Sequence, residues 1–318
     1  MSAEHGPATV LARRVRTGER RALAEAITVL EADHAEAGAL AEALRPHLAG
    51  VPVVGFTGPP GAGKSTLVNA LIALLRRGGR RVGVVAVDPS SPVSGGSILG
   101  DRIRMTAALD DDDVFVRSLA SYGHLGGLSP AAARIIDAFD AAGFDIVLVE
   151  TVGTGQNEID VAAVADVGVV IVAPGLGDGI QAMKSGLLEI ADVLVVNKAD
   201  RAGSLETAQQ LQAAISLRDG IGRRPAILQT VATSGRGIAE LGDEIDRLVS
   251  EMMARMNGDA RRLRRGRYIV ERVAIAGIRK ALSDENHAGA GEIIEDVLSG
   301  RCSPLEAARR LLARALPT

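Results

Sequence analysis

Nine consecutive residues constrain this chain more than any other stretch: Gly58, Pro59, Pro60, Gly61, Ala62, Gly63, Lys64, Ser65 and Thr66. They match G-x-x-x-x-G-K-[ST], with an apolar strand-like run before them (Val51–Thr57) and a helical stretch after (Leu67–Leu75). Gly61 and Gly63 let the backbone curl into a nest whose N–H groups point at phosphate oxygens. The N-terminus of the following helix adds partial positive charge. Lys64 is placed to bridge β- and γ-phosphates, and the Ser65 hydroxyl to ligate Mg²⁺.

The chain around this loop alternates strand and helix. Short Val/Ile runs predict strands at Val51–Thr57, Arg81–Val87, Val114–Arg117, Asp145–Val149, Gly168–Ala173, Asp192–Val196 and Ala226–Val231. Helical spacing predicts helices at Ser65–Arg77, Ser129–Ala141, Ser204–Leu217 and Ile238–Met256. Apolar runs without alternation suit parallel strands covered on both faces. The fold expected is therefore α/β: a P-loop NTPase with a doubly wound, mostly parallel sheet and helical extensions at both ends. The expected divisions are residues 1–50, 51–256 and 257–318. Residues 19–48 read as one amphipathic helix that Pro46 ends or kinks, either packed on the next domain or offered to a partner. Leu241, Ile245, Leu248 and Met252 recur at spacings that need a facing surface, from this chain or another, and Leu263, Val270 and Ala274 extend the pattern. Ser303-Pro304-Leu305-Glu306 is a helix start: a capping hydroxyl, proline at the first position and glutamate at the third.

Further motifs follow the strands. Asn197-Lys198-Ala199-Asp200 reads N-K-x-D. The Asp200 carboxylate can accept from guanine N1–H and N2–H₂, neither of which adenine has, so ATP would leave the acid unpaired. The motif therefore selects GTP. Glu150-Thr151-Val152-Gly153 ends another strand. Glu150 suits a magnesium-holding acid, although Asp is usual there, and the Gly153 N–H can sense the γ-phosphate. Thr154, not Gln, follows that glycine; Gln156 is the nearby candidate for orienting water, and slow intrinsic hydrolysis is expected. Asp88, in Asp88-Pro89-Ser90-Ser91-Pro92, and Asp101, in the Gly-rich run from Gly95 to Arg102, are further candidate Mg²⁺ ligands; helix capping is the other reading for both. The 95–102 run is a candidate switch, and Ala173–Gly179 is either a connector or a second mobile segment.

Composition excludes other classes. The 318 residues carry 36 basic and 39 acidic side chains, net −3, and only 2% aromatics. Neither a basic nucleic-acid surface nor a base-stacking platform fits. One cysteine, Cys302, and five scattered histidines leave no disulfide framework and no zinc cluster. The first twenty residues hold no apolar leader, and the stretch Val161–Pro174 is too short to span a bilayer, so a cytoplasmic protein without membrane or nucleic-acid partners is expected.

Taken together, GPPGAGKST (58–66), DPSSP (88–92), GGSILGDR (95–102), ETVGTGQNE (150–158) and NKAD (197–200) resemble the MeaB/ArgK-type GTPases, and the likeness runs from about Arg20 to the C-terminal helices. These are G-protein chaperones of adenosylcobalamin-dependent methylmalonyl-CoA mutase, similar to the human methylmalonic aciduria type A protein. An older label for such proteins is a kinase linked to lysine/arginine/ornithine transport. The resemblance implies GTP/GDP binding with Mg²⁺, a homodimer joined through C-terminal helices, and gating of cofactor delivery to the mutase or its protection. It places phosphates on Gly58–Thr66 and the base on Asp200. The family's Ser-Ala pair on the last strand matches Val231-Ala232-Thr233, where Val231 replaces Ser and leaves the Ala232 N–H as the contact to the guanine oxygen. It also likens the Asp178 loop to the extra switch that signals to the mutase. Two alternatives share the fold: a nickel-insertion metallochaperone GTPase, which would need a Cys/His cluster, and a phosphotransferase, which would need an acceptor site.

Overall fold

Strands without a polar face must be covered on both sides, and the sheet meets that requirement. The computed structural model describes residues 6–32, 35–88, 111–120, 131–151, 157–175, 186–217, 224–283 and 290–315. Its strands are β1 (Val53–Thr57), β2 (Val82–Asp88), β3 (Val114–Ala120), β4 (Ile146–Thr151), β5 (Val167–Val172), β6 (Val193–Val196) and β7 (Ala226–Gln229). They lie in the order β3-β2-β4-β1-β5-β6-β7, each neighbouring pair parallel. In β1, β4, β5 and β6 every residue is buried. Register sets Phe56 of β1 beside Glu150 of β4, and Ala86 of β2 beside the same Glu150. The carboxyl ends of β1, β2 and β4 therefore meet at one edge, where open α/β sheets bind ligands.

The helices, in chain order, are α1 (Pro7–Arg16), α2 (Arg20–Glu31), α3 (Ala35–Leu44), α4 (Lys64–Arg77), α5 (Ala131–Ala141), α6 (Asn157–Val164), α7 (Leu187–Ile190), α8 (Ser204–Ser216), α9 (Ile238–Arg255), α10 (Gly258–Ser283), α11 (Ala290–Leu298) and α12 (Pro304–Ala315). One face of the sheet packs Val54, Phe56, Val84, Leu148, Val169 and Ile171 against Leu67, Leu71 and Ile72 of α4 and Leu241, Ile245 and Leu248 of α9. The regularly spaced leucines of α9 thus find their facing surface within the chain. On the other face, Val170, Val172, Leu194 and Val196 pack on α7 and α8.

The stretch 19–48 is not one helix. It forms α2, α3 and a 3₁₀ turn at Arg45–His47 that contains Pro46, and α1 precedes it. Proline lacks the N–H an α-helix interior needs, so the chain tightens where Pro46 enters. The signal for α1 is Pro7 in its first turn and the buried set Leu11, Ala12 and Val15. These N-terminal helices pack on one another and on α5. Asn157–Val164 and Leu187–Ile190 are helices that the apolar pattern did not mark.

Two compact units result, Met1–Arg265 and Gly266–Thr318. In the second, the Ser303 hydroxyl accepts from Glu306 N–H (3.2 Å), completing the N-terminus of α12. Asp296 accepts from Arg301 and Arg310, which hold its carboxyl below the usual range. Leu298 and Leu305 stay exposed.

At the end of the sheet away from the phosphate loop, the first unit is tied by one carboxylate. Asp166 accepts from Val53 N–H (2.9 Å), Arg261 (2.8 Å) and Arg264 (3.1 Å), and its own N–H donates to Val53 O (2.7 Å). Arg261 also donates to the carbonyl of Gly50, while Asp140 of α5 accepts from Ala49 N–H (3.0 Å) and Gly50 N–H (2.8 Å). Gly50 has φ +85, and a Cβ there would lie 3.0 Å from the Cα of Gly258, so the two backbones touch. Burial pulls the Arg265 guanidinium downward in pKa; Asp166, at 3.7 Å, and Asp137 oppose the shift, and Arg261 and Arg264 add to it. Removing Asp166 would leave buried guanidinium groups without their counter-charge. Asp166→Ala should destabilise the chain by about 3–5 kcal/mol in urea unfolding, whereas Arg310→Ala, at an exposed pair, should leave the midpoint nearly unchanged. A loss no larger for Asp166→Ala than for Arg310→Ala would remove this carboxylate from the fold's supports.

Candidate functional site

The chain leaves β1 at Thr57, turns through Gly58–Gly63 and enters α4 at Lys64. Gly63 caps that helix with φ +91 and faces the Asn197 side chain; a Cβ there would sit 2.5 Å from Asn197 Nδ2. Only glycine accepts both the backbone conformation and the close approach. Lys64 is buried and lies back across the loop, its ammonium donating to Gly58 O (2.7 Å) and Pro59 O (3.1 Å). The Ser65 hydroxyl donates to Glu150 Oε1 (2.7 Å), so the first turn of α4 and the end of β4 share a hydroxyl–carboxylate pair. Both are hard oxygen donors on one side of the loop, a set suited to a hard divalent cation such as Mg²⁺. Thr151, next to Glu150, donates weakly to Thr57 Oγ1 (3.4 Å) at the end of β1.

The N-K-x-D residues come to the same place from β6. Asn197 is 2% exposed; its Nδ2 donates to Ala62 O (2.9 Å), and its Oδ1 accepts from Thr230 Oγ1 (3.1 Å) and Ala232 N–H (3.2 Å). A carbonyl partner on one side and an N–H on the other fix which way the amide points. Lys198 takes φ +56, the one positive φ of a non-glycine residue among the described residues, and its ammonium donates to Gly61 O (2.7 Å). Asp200 follows in an exposed turn. Backbone bonds from Thr230 N–H to Val196 O (2.9 Å) and from Ala199 N–H to Thr230 O (3.0 Å) lace the ends of β6 and β7 together.

Val231 and Ala232 are buried, and Thr233 is exposed, in a turn closed by the bridge Val231–Arg236. Thr66, Ala232 and Thr233 border one open groove of about 440 Å³ between α4 and this turn. The structure thus gathers Gly58 to Thr66, Glu150, Asn197, Lys198 and Ala232 around the carboxyl end of β1. Asp88 ends β2 at the same edge. Asp101, Gly153, Gln156, Asp178 and the 95–102 run lie outside the described residues. The sequence reading passed over Thr230, whose buried hydroxyl holds Asn197; the signal available was a lone hydroxyl residue at the end of the last strand.

Known proteins resemble this chain over most of its length. A protein of Pyrococcus horikoshii named as a GTPase is 43% identical over 97% of this chain and 98% of its own. The mitochondrial methylmalonic aciduria type A homolog of Mus musculus is 37% identical over 74% of this chain and 62% of its own. The crystal structure of an LAO/AO transport system kinase superposes with a TM-score of 0.74 at 27% identity, covering 98% of this chain and 97% of that one. The profile of the family described as methylmalonyl-CoA mutase-associated GTPase MeaB matches residues 23–287. That match covers most of the chain and includes every residue gathered around the loop, so the chain belongs to the MeaB family of GTPases.

Proposed function

We propose that this GTPase is a homodimeric, cytoplasmic G-protein chaperone whose nucleotide state gates cofactor delivery to, or protects, an adenosylcobalamin-dependent mutase of the methylmalonyl-CoA type. The observation that carries the nucleotide half is the direct contact of the two motifs: Asn197 bonds the phosphate loop at Ala62, and Lys198 bonds it at Gly61. The partner half rests on the family description and on the name of the murine relative. Leu263, Val270 and Val273 of α10 are exposed apolar residues, which supports association of two copies through C-terminal helices.

In this reading the N–H groups of Gly58–Thr66 bind phosphates, and Lys64 exchanges its loop carbonyls for phosphate oxygens, neutralising charge that builds as GTP and water become GDP and phosphate. Bound Mg²⁺ supplies further charge neutralisation at the β- and γ-phosphates; Ser65 and Glu150 would hold it, with Asp88 and Asp101 as further candidates. Gly153 would sense the γ-phosphate, and Gln156 is the candidate to orient water. Asp200 pairs with guanine N1–H and N2–H₂, and the Ala232 N–H with the 6-oxygen.

Asp200→Asn should therefore lose guanine preference and gain relative affinity for xanthine nucleotides, which carry an oxygen at position 2. Competition binding with GTP, XTP and ATP reads this out, and unchanged selectivity would mean that Asp200 does not face the base. Hydrolysis by the chain alone should be slow, since Thr154 stands where a catalytic glutamine is usual. Single-turnover assays with a cobalamin-dependent mutase added should show a faster rate, up to roughly 10³–10⁵-fold if the partner completes the charge stabilisation. Turnover of several per second without any partner would overturn the gated switch.

A further inference from the structure

We propose that the guanidinium groups of Arg265 and Arg261 form a binding site for a small monovalent anion, of the size and charge of chloride, at the foot of α10. The site lies at the end of β1 away from the phosphate loop and does not depend on the nucleotide chemistry.

Arg261 and Arg265 are four residues apart on α10, so they share a helix face, and each is only 1% exposed. Both approach the same carboxylate, Asp166, but it has no hydrogen bond left for Arg265. Its Oδ2 already accepts from Val53 N–H (2.9 Å) and Arg261 Nη1 (2.8 Å), and its Oδ1 from Arg264 Nη2 (3.1 Å). Arg265 Nη1 stops 3.7 Å from that Oδ2, beyond hydrogen-bond reach. The neighbouring acids are engaged as well. Asp137 accepts from Arg262 with both oxygens (3.3 Å each), and Asp140 holds the N–H groups of Ala49 and Gly50. Arg265 Nη1 and Arg261 Nε are therefore buried donors without a hydrogen-bond partner among the described residues.

A buried donor without an acceptor is costly, and more so when it carries charge. Asp166 and Asp137, the acids that act on Arg265, each already pair with another arginine, so neither is its own counter-charge. A bound anion supplies the acceptor and the charge together. The same two acids would repel a dianion such as phosphate, and the burial of both arginines leaves no room for an organic acid. A monatomic monovalent ion meets both limits.

The experiment uses the full chain without nucleotide, at constant ionic strength, with sodium gluconate replaced stepwise by sodium chloride. The wild-type melting temperature should rise and saturate, by about 2–4 °C or more. Arg265→Met should lose the saturable rise, and Arg310→Ala, at an exposed pair, should keep it. In gluconate alone Arg265→Met should melt no lower than the wild type, because methionine replaces a buried charge that lacks a hydrogen bond. A wild-type curve that does not saturate, or a response equal in the wild type and Arg265→Met, is the general effect of salt on burial and overturns the proposal. So does a lower melting temperature of Arg265→Met in gluconate, since the protein itself would then answer this guanidinium. Independently of any variant, the chloride NMR line of a wild-type solution should broaden with added protein and narrow again when bromide competes; a line that bromide leaves unchanged rules the site out.

Discussion

One carboxamide holds the nucleotide end of this molecule together. Asn197 stands at the end of β6, yet it donates to Ala62 in the phosphate loop and accepts from Thr230 and Ala232 after β7. Those partners belong to segments far apart in sequence, and the Lys198–Gly61 contact and the backbone bonds of Thr230 with Val196 and Ala199 run between the same segments. In a low-dielectric interior such a network is strong when complete and costly when one member is missing.

The opposite end of β1 has a different chemistry. There Asp166 gathers Val53, Arg261 and Arg264. Ion pairs so deeply buried add little over an apolar core, but they tolerate no loss of a partner. The central strand is therefore fixed at both ends, by a neutral amide network near the phosphate loop and by an ionic one at the far side. Its five buried residues carry no polar side chain except Thr57, where the strand hands over to the loop.

The parts legible in sequence were those where ligand chemistry dictates residue type. Gly63, Lys64 and Ser65 stand next to one another between a strand and a helix, and Asn197 to Asp200 follow a strand, so local spacing alone marked both motifs. Sheet strands were legible because burial on both faces leaves uninterrupted Val/Ile runs; boundaries shifted by a few residues, as with β3 reaching Ala120. Asp166 was illegible, since nothing near it in sequence announces a role, and Thr230 offered only a hydroxyl at the end of a strand. Their partners lie 95 and 33 residues away, at Arg261 and Asn197. In the N-terminal region Pro46 announced the end of α3, but no proline marks the break between α2 and α3. Its Ala- and Glu-rich composition suits a continuous helix, and only packing on α5 and the missing N–H of Pro46 decide where the helices end.

The contact of Gly50 with Gly258 brings together the point where the chain enters β1 and the point where it departs along α10. The roughly two hundred residues between them form a closed loop in space, like a bead strung through a single hole. Tension applied between the N-terminal helices and the root of α10 would be borne first by the glycine contact and the bonds of Arg261 to Gly50 and Asp166. The entry and exit of this loop are thereby held at one point, the geometry found in domains that tolerate insertion into another chain.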